Sequence, residues 1–97
     1  MENTLTIVAH VRARPGMEEL LIAEQIRLVA ATRKSDGCLR YELHRSLTDP
    51  TEVMFVEEWA TRALWLAHME SQYMADFRAA AGHAIGDFAL YELHQIA

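Results

Sequence analysis

Between Thr4 and Arg14 the chain alternates, with Leu5, Ile7, Ala9, Val11 and Ala13 on one side and Thr6, Val8, His10 and Arg12 on the other. A period of two over that length predicts a half-buried strand. Pro15-Gly16 breaks it, and proline at or just before a first helical turn is a favoured start. A helix is predicted over residues 17–34, with Glu18 and Glu19 near its positive end and Arg33 and Lys34 near its negative end. Its apolar residues, from Leu20, Leu21 and Ile22 to Leu28, Val29 and Ala31, cover more than one face. Such a helix is expected to be buried on more than its sheet side.

Ser35-Asp36-Gly37 ends that helix, and a second strand is predicted from about Cys38 to Ser46, where Leu39, Tyr41 and Leu43 alternate with Arg40, Glu42 and His44. Thr48-Asp49-Pro50-Thr51 reads as a turn. A third strand, rich in β-branched and aromatic residues, covers Glu52 to Trp59. Thr61 can cap a helix from Arg62 to Glu70, and Ser71 a further one to about Ala81. Gly82 and Gly86 bracket the approach to a last strand, Asp87 to Gln95.

The order is β-α-β-β-α-β, which predicts an α+β fold of the ferredoxin-like split βαβ kind with a four-stranded antiparallel sheet. Tyr41-Glu42-Leu43-His44 recurs as Tyr91-Glu92-Leu93-His94, in strands that the pseudo-twofold of this topology makes counterparts. Val53, Met54, Phe55 and Val56 are apolar in succession, so both faces of the sheet are expected to be covered. Helices can cover one; the other calls for a second copy of the chain, giving a homodimer.

The 97 residues are read as one domain, 1–97, and 52% of them are hydrophobic, generous for a chain this short. That excess also points to a partner surface. A net charge of −5 and scattered basic residues argue against nucleic acid. One cysteine, Cys38, leaves no internal disulfide and fits a reducing compartment. The start, Met-Glu-Asn-Thr, lacks the basic stretch of a secretory signal, and no apolar run is long enough to span a bilayer. The expected location is the cytoplasm, with no membrane partner.

The candidate chemistry is concentrated in residues 52–77, where Glu57 and Trp59 end a strand, His68 follows on a short helix, and Tyr73 and Phe77 on the next. A carboxylate, an indole, an imidazole and a phenol at one strand-to-helix corner suit a small aromatic-lined pocket with a titratable group in it. His68 has two readings: a general base at neutral pH, or a hydrogen-bonded core histidine tying helix to sheet. Glu57 either orients His68 or holds an interface arginine, and a structural pairing is favoured because a partly buried carboxylate rarely goes unpaired. Phe55, Trp59, Trp65, Tyr73 and Phe77 are pocket walls or ordinary core, readings that overlap. His10, His44 and His94 have no metal-ligand spacing. Gly82-x3-Gly86 comes after a helix and before a strand, the reverse of a dinucleotide fingerprint. No metal, flavin or nicotinamide is expected.

Taken together, Arg14-Pro15-Gly16, Gly37-Cys38-Leu39-Arg40-Tyr41, Phe55, Glu57-x-Trp59, Leu64, His68, Ser71, Tyr73 and Phe77 resemble the antibiotic biosynthesis monooxygenase domain family across essentially the whole chain. The spacing from Trp59 through His68 to Phe77 is the specific part. The resemblance implies a dimeric α+β barrel and a cofactor-independent monooxygenase that oxidises a quinol or polyphenol-like aromatic with dioxygen. Many relatives have proline where Gln72 stands and histidine where Tyr73 stands. Relatives that degrade haem carry an asparagine on the first strand, where this chain has Ala9. The alternatives are an isomerase holding a polar metabolite through Arg40 or Arg45, and a non-catalytic ligand-binding or stress-response dimer.

Overall fold

The computed structural model describes residues 4–97; Met1–Asn3, part of the N-terminal stretch considered above, lie outside them. The elements are β1 (Leu5–Ala13), α1 (Glu18–Thr32), β2 (Cys38–Arg45), β3 (Glu52–Trp59), α2 (Arg62–Met69), α3 (Gln72–Ala81) and β4 (Ile85–Leu93), with a 3-10 turn at Gly82–Ala84 before the last strand. All neighbouring strands are antiparallel in the order β2-β3-β1-β4. This is the ferredoxin-like α+β fold predicted from the element order.

The alternation in β1 is realised as expected. Ile7, Ala9, Val11 and Ala13 are buried beneath the helices, and across them on β3 lie Glu57, Phe55 and Val53. Leu21, Gln25, Leu28, Val29 and Thr32 form the buried stripe of α1. They close the core with Tyr41, Trp59, Trp65 and Met74. The other face of the sheet presents Val8, Met54, Val56, Tyr91 and Leu93, by their register with one another. Met54 is 39%, Tyr91 52% and Leu93 45% exposed, so this apolar face has no cover among the described residues.

Several element ends and one strand register differ from the sequence reading. Helix α1 stops at Thr32 rather than residue 34, leaving Arg33 free to donate from Nε to the Tyr41 carbonyl at 3.1 Å. The chain then turns through Gly37 at φ +82°, where a Cβ would lie 2.5 Å from the Leu64 side chain. A register shift between Cys38 and Arg40 leaves Leu39 57% exposed, breaking the expected alternation with Tyr41 and Leu43. Strand β4 begins two residues earlier than expected, because Gly86 sits in a bulge opposite Arg12 and Ala13. A Cβ there would meet the Arg12 carbonyl at 3.3 Å.

The repeated tetrapeptide is not structurally equivalent. Tyr41 pairs with Glu57 on the helix face and is 3% exposed, whereas Tyr91 pairs with Val8 on the open face. The two copies fall in opposite phases of the pleat, and a shift of one residue reverses every side chain.

Candidate functional site

Strand β3 delivers the acidic side of the site. Successive side chains alternate between faces, so Phe55, Glu57 and Trp59 all point toward the helices and are buried. Glu57 is 4% exposed, and its Oε1 accepts a hydrogen bond from the Trp59 indole N–H at 2.9 Å. Burial pushes the Glu57 carboxyl up to about 7, while that hydrogen bond pulls it partly back.

The break between α2 and α3 delivers the imidazole. Thr61 caps α2, accepting from the Leu64 N–H at 3.1 Å. Ser71 caps α3, accepting from the Met74 N–H at 3.2 Å while its hydroxyl donates to the His68 carbonyl at 2.7 Å. One serine thereby ends one helix and starts the next. The fold that results brings the Tyr73 hydroxyl within 2.6 Å of His68 Nδ1. The His68 ring lies 4.7 Å from that of Trp59 and 5.6 Å from that of Tyr41. Burial lowers His68 to about 4, and the positive charge of Arg78 adds to the effect. The imidazole is therefore neutral at physiological pH. With Nδ1 engaged by Tyr73, Nε2 is the nitrogen left for a ligand.

Both groups line a cavity of about 450 Å³. Ala9 and Val11 form part of its floor, Gln25 and Leu28 of α1 one wall, Met74, Phe77 and Arg78 of α3 another, and Phe88 and Leu90 of β4 the remaining edge. Among the sequence candidates, His68, Glu57, Phe55 and Phe77 line it. Tyr73 stands behind His68 and touches the site through that residue, by the hydrogen bond and by ring contact at 5.5 Å. Trp59 is wholly buried beneath Glu57 and His68 and supports them without lining the cavity. Trp65 is elsewhere, with the Arg62 guanidinium over its ring at 5.7 Å.

Two expectations about partners are corrected. No hydrogen bond or ion pair joins Glu57 to His68 among the described residues; Trp59 holds the first and Tyr73 the second. Nor do Arg40 and Arg45 reach the cavity. Arg40 pairs with Glu42 on the open face, and Arg45 reaches across to Glu19. The cation at the cavity wall is Arg78, which also donates to the Met69 carbonyl at 3.0 Å.

Gln25, Tyr41 and Arg78 were not singled out by the sequence reading. Gln25 had a signal, as a long polar side chain inside the stripe Leu21–Leu28–Val29. Tyr41 had only its place in the Gly37–Tyr41 motif, because its neighbours Trp59, His68 and Phe55 all come from other elements. Burial and the nearby Glu57 raise the Tyr41 phenol well above its ordinary range. Among the described residues no three His, Cys, Asp or Glu side chains cluster in a way that would hold a metal ion. His10 and His44 instead face Glu52 and Glu42 on the open side of the sheet.

A split βαβ domain with an apolar, one-sided cavity under its helices is the class of protein these features define. Residues 4–80 match the antibiotic biosynthesis monooxygenase family, and the chain belongs to that family. The Mycobacterium tuberculosis protein Rv0793 is 27% identical over 85 residues, which cover 88% of this chain and 83% of that one. The crystal structure of PA3566 from Pseudomonas aeruginosa superposes with a TM-score of 0.94 at 29% identity, covering 100% of this chain and 98% of the other. SO0527 from Shewanella oneidensis gives 0.90, also at 29% identity, with 98% and 93% covered.

Proposed function

We propose that the protein is a cofactor-independent monooxygenase acting on a quinol or polyphenol-like aromatic, and that it works as a homodimer. The observation that carries this is the pairing of two oppositely shifted groups, Glu57 and His68, on the walls of one apolar cavity. Family membership supports the reaction class. An electron-rich phenolate can itself reduce dioxygen. One oxygen atom enters the ring as a carbonyl, the other leaves as water, and all four electrons come from the ring.

The chain's task is then to bind the ring, take the phenolic proton and exclude water from the peroxide-like intermediate. Glu57, poised near 7, suits the role of base better than His68, which is too weakly basic after burial. Neutral His68, held by Tyr73, offers Nε2 as a hydrogen-bond partner to substrate or peroxide oxygen. Phe55 and Phe77 supply the walls, and Trp59 fixes the carboxylate.

The test is oxygen uptake with a dihydroxynaphthalene on chelator-treated protein, corrected for autoxidation. Uptake that survives chelation and gives a quinone is expected. Uptake that vanishes and returns with iron rejects the cofactor-free reading. Arg78 at the cavity wall keeps one alternative open, an isomerase holding an anionic metabolite; turnover of phosphorylated sugars with none of quinols selects it.

A further inference from the structure

Gln25 is buried to 0% exposure in the middle of the apolar stripe of α1, and among the described residues neither its carboxamide oxygen nor its nitrogen has a hydrogen-bond partner. Such a group costs stability, since burial removes water from donor and acceptor without replacing it. A leucine or methionine at this position would continue the stripe without that cost. The side chain lines the cavity that His68 and Glu57 also line. It also borders a small void shared with Ala13, Val53 and Thr51, which locates it toward the far end of β3 from Glu57. Val53 and Glu57 are four steps apart along β3, about 13 Å of strand at 3.3 Å per residue. The floor between them is Ala9 and Phe55, with no polar side chain from the sheet.

We propose that the Gln25 carboxamide is the second polar anchor of the cavity, holding an oxygen at the end of the ligand opposite the His68–Glu57 end. The ligand class is therefore a planar molecule with oxygen functions on two opposite edges, one at the reacting end and one that only positions the ring. The amide suits that role because it both donates and accepts, so it can hold a hydroxyl or a carbonyl. Substrate and quinone product are then both retained in the same orientation. This rests on the reading of the cavity as an aromatic site, and it adds a specificity determinant to it.

The test measures binding rather than turnover, by quenching of tryptophan fluorescence with 2,6-dihydroxynaphthalene and with 2-naphthol, the same ring lacking the second hydroxyl. The native protein is expected to favour the diol by about tenfold or more, the effect of satisfying one buried polar group. Gln25→Met should bind both rings equally and unfold at the same temperature as the native protein or higher. Equal binding of both rings by the native protein overturns the proposal, as does a diol preference that persists in Gln25→Met. A clear loss of stability in Gln25→Met also overturns it, since it means the amide serves the fold. Failure of both rings to bind rejects the aromatic site itself. Binding with the expected preference but no oxygen uptake leaves this anchor standing and rejects the monooxygenase reaction.

Discussion

Burial acts on Glu57 and His68 with opposite signs, because it disfavours the charged form of each. The Glu57 carboxyl rises from 4.5 to about 7, so its proton is held more tightly in the folded chain. Its contribution to stability is full below pH 4.5 and is lost as pH rises through about 7. Glu57→Gln keeps an acceptor for the Trp59 indole and removes that loss. The variant is expected to be more stable than the native protein at pH 8, by roughly 2–3 kcal/mol, with the gap closing below pH 4.5; urea titrations at the two pH values check this. Its turnover should fall by about 10²–10⁴-fold. In the native protein kcat/KM should rise with pH through about 7, as the carboxylate forms.

His68 moves the other way, from 6.5 to about 4. It contributes to stability above pH 6.5, and the contribution is lost as pH falls through about 4. His68→Gln keeps polar reach toward Tyr73 and should flatten stability across that window. If the imidazole steadies oxygen in the transition state, kcat should drop by about 10²–10³-fold with the inflection near pH 7 unchanged. Loss of that inflection in His68→Gln would assign the titration to the imidazole instead of the carboxylate.

At the scale of elements, the site depends on the break between α2 and α3. The serine cap, the His68 carbonyl and the Tyr73–His68 hydrogen bond all lie between His68 and Met74. Ser71→Ala removes the acceptor for the Met74 N–H and the donor to His68, and should cost about 1 kcal/mol or somewhat more. The same change should raise KM as well as lower stability, because Tyr73 rides on the first turn of α3. Thr61→Ala, with the same cap chemistry at the start of α2, should cost a similar amount without changing KM. Thermal unfolding and steady-state kinetics on the pair separate the two effects.

For the whole molecule, the open sheet face is the feature a chain of 97 residues leaves unresolved on its own. Val8, Met54, Val56, Tyr91 and Leu93 form its apolar middle, flanked by Arg40–Glu42 at one edge and Arg12–Asp49–Glu52 at one end. An apolar centre with a charged rim is the anatomy of a subunit interface. A second copy of the chain placed on this face would complete the barrel. Val56→Asp is expected to convert a dimer into a monomer in sedimentation at micromolar concentration, and to lower the unfolding temperature. A native protein that sediments as a stable monomer rejects the arrangement. No helix among the described residues is long and apolar enough to cross a membrane.

The residue order alone determined the kind and succession of elements, since periods of two and three to four, Pro15, Gly37, Thr61 and Ser71 act over a few neighbouring residues. It also picked out residues that line or back the cavity, because Glu57, Phe55, His68, Tyr73 and Phe77 lie within one short stretch and share faces that local periodicity reveals. What the tertiary structure decided was which of these groups meet. His68 found Tyr73 rather than Glu57, Glu57 found Trp59, and Arg78 rather than Arg40 or Arg45 reached the cavity. The bulges opposite Arg12 and at Cys38 set the phases of β4 and β2, and so which face Tyr91 and Leu39 take. Gln25 entered the site because α1 crosses the sheet, and Tyr41 because β2 pairs with β3. Such contacts depend on pairing register and helix placement between residues far apart in the chain, which no local pattern encodes.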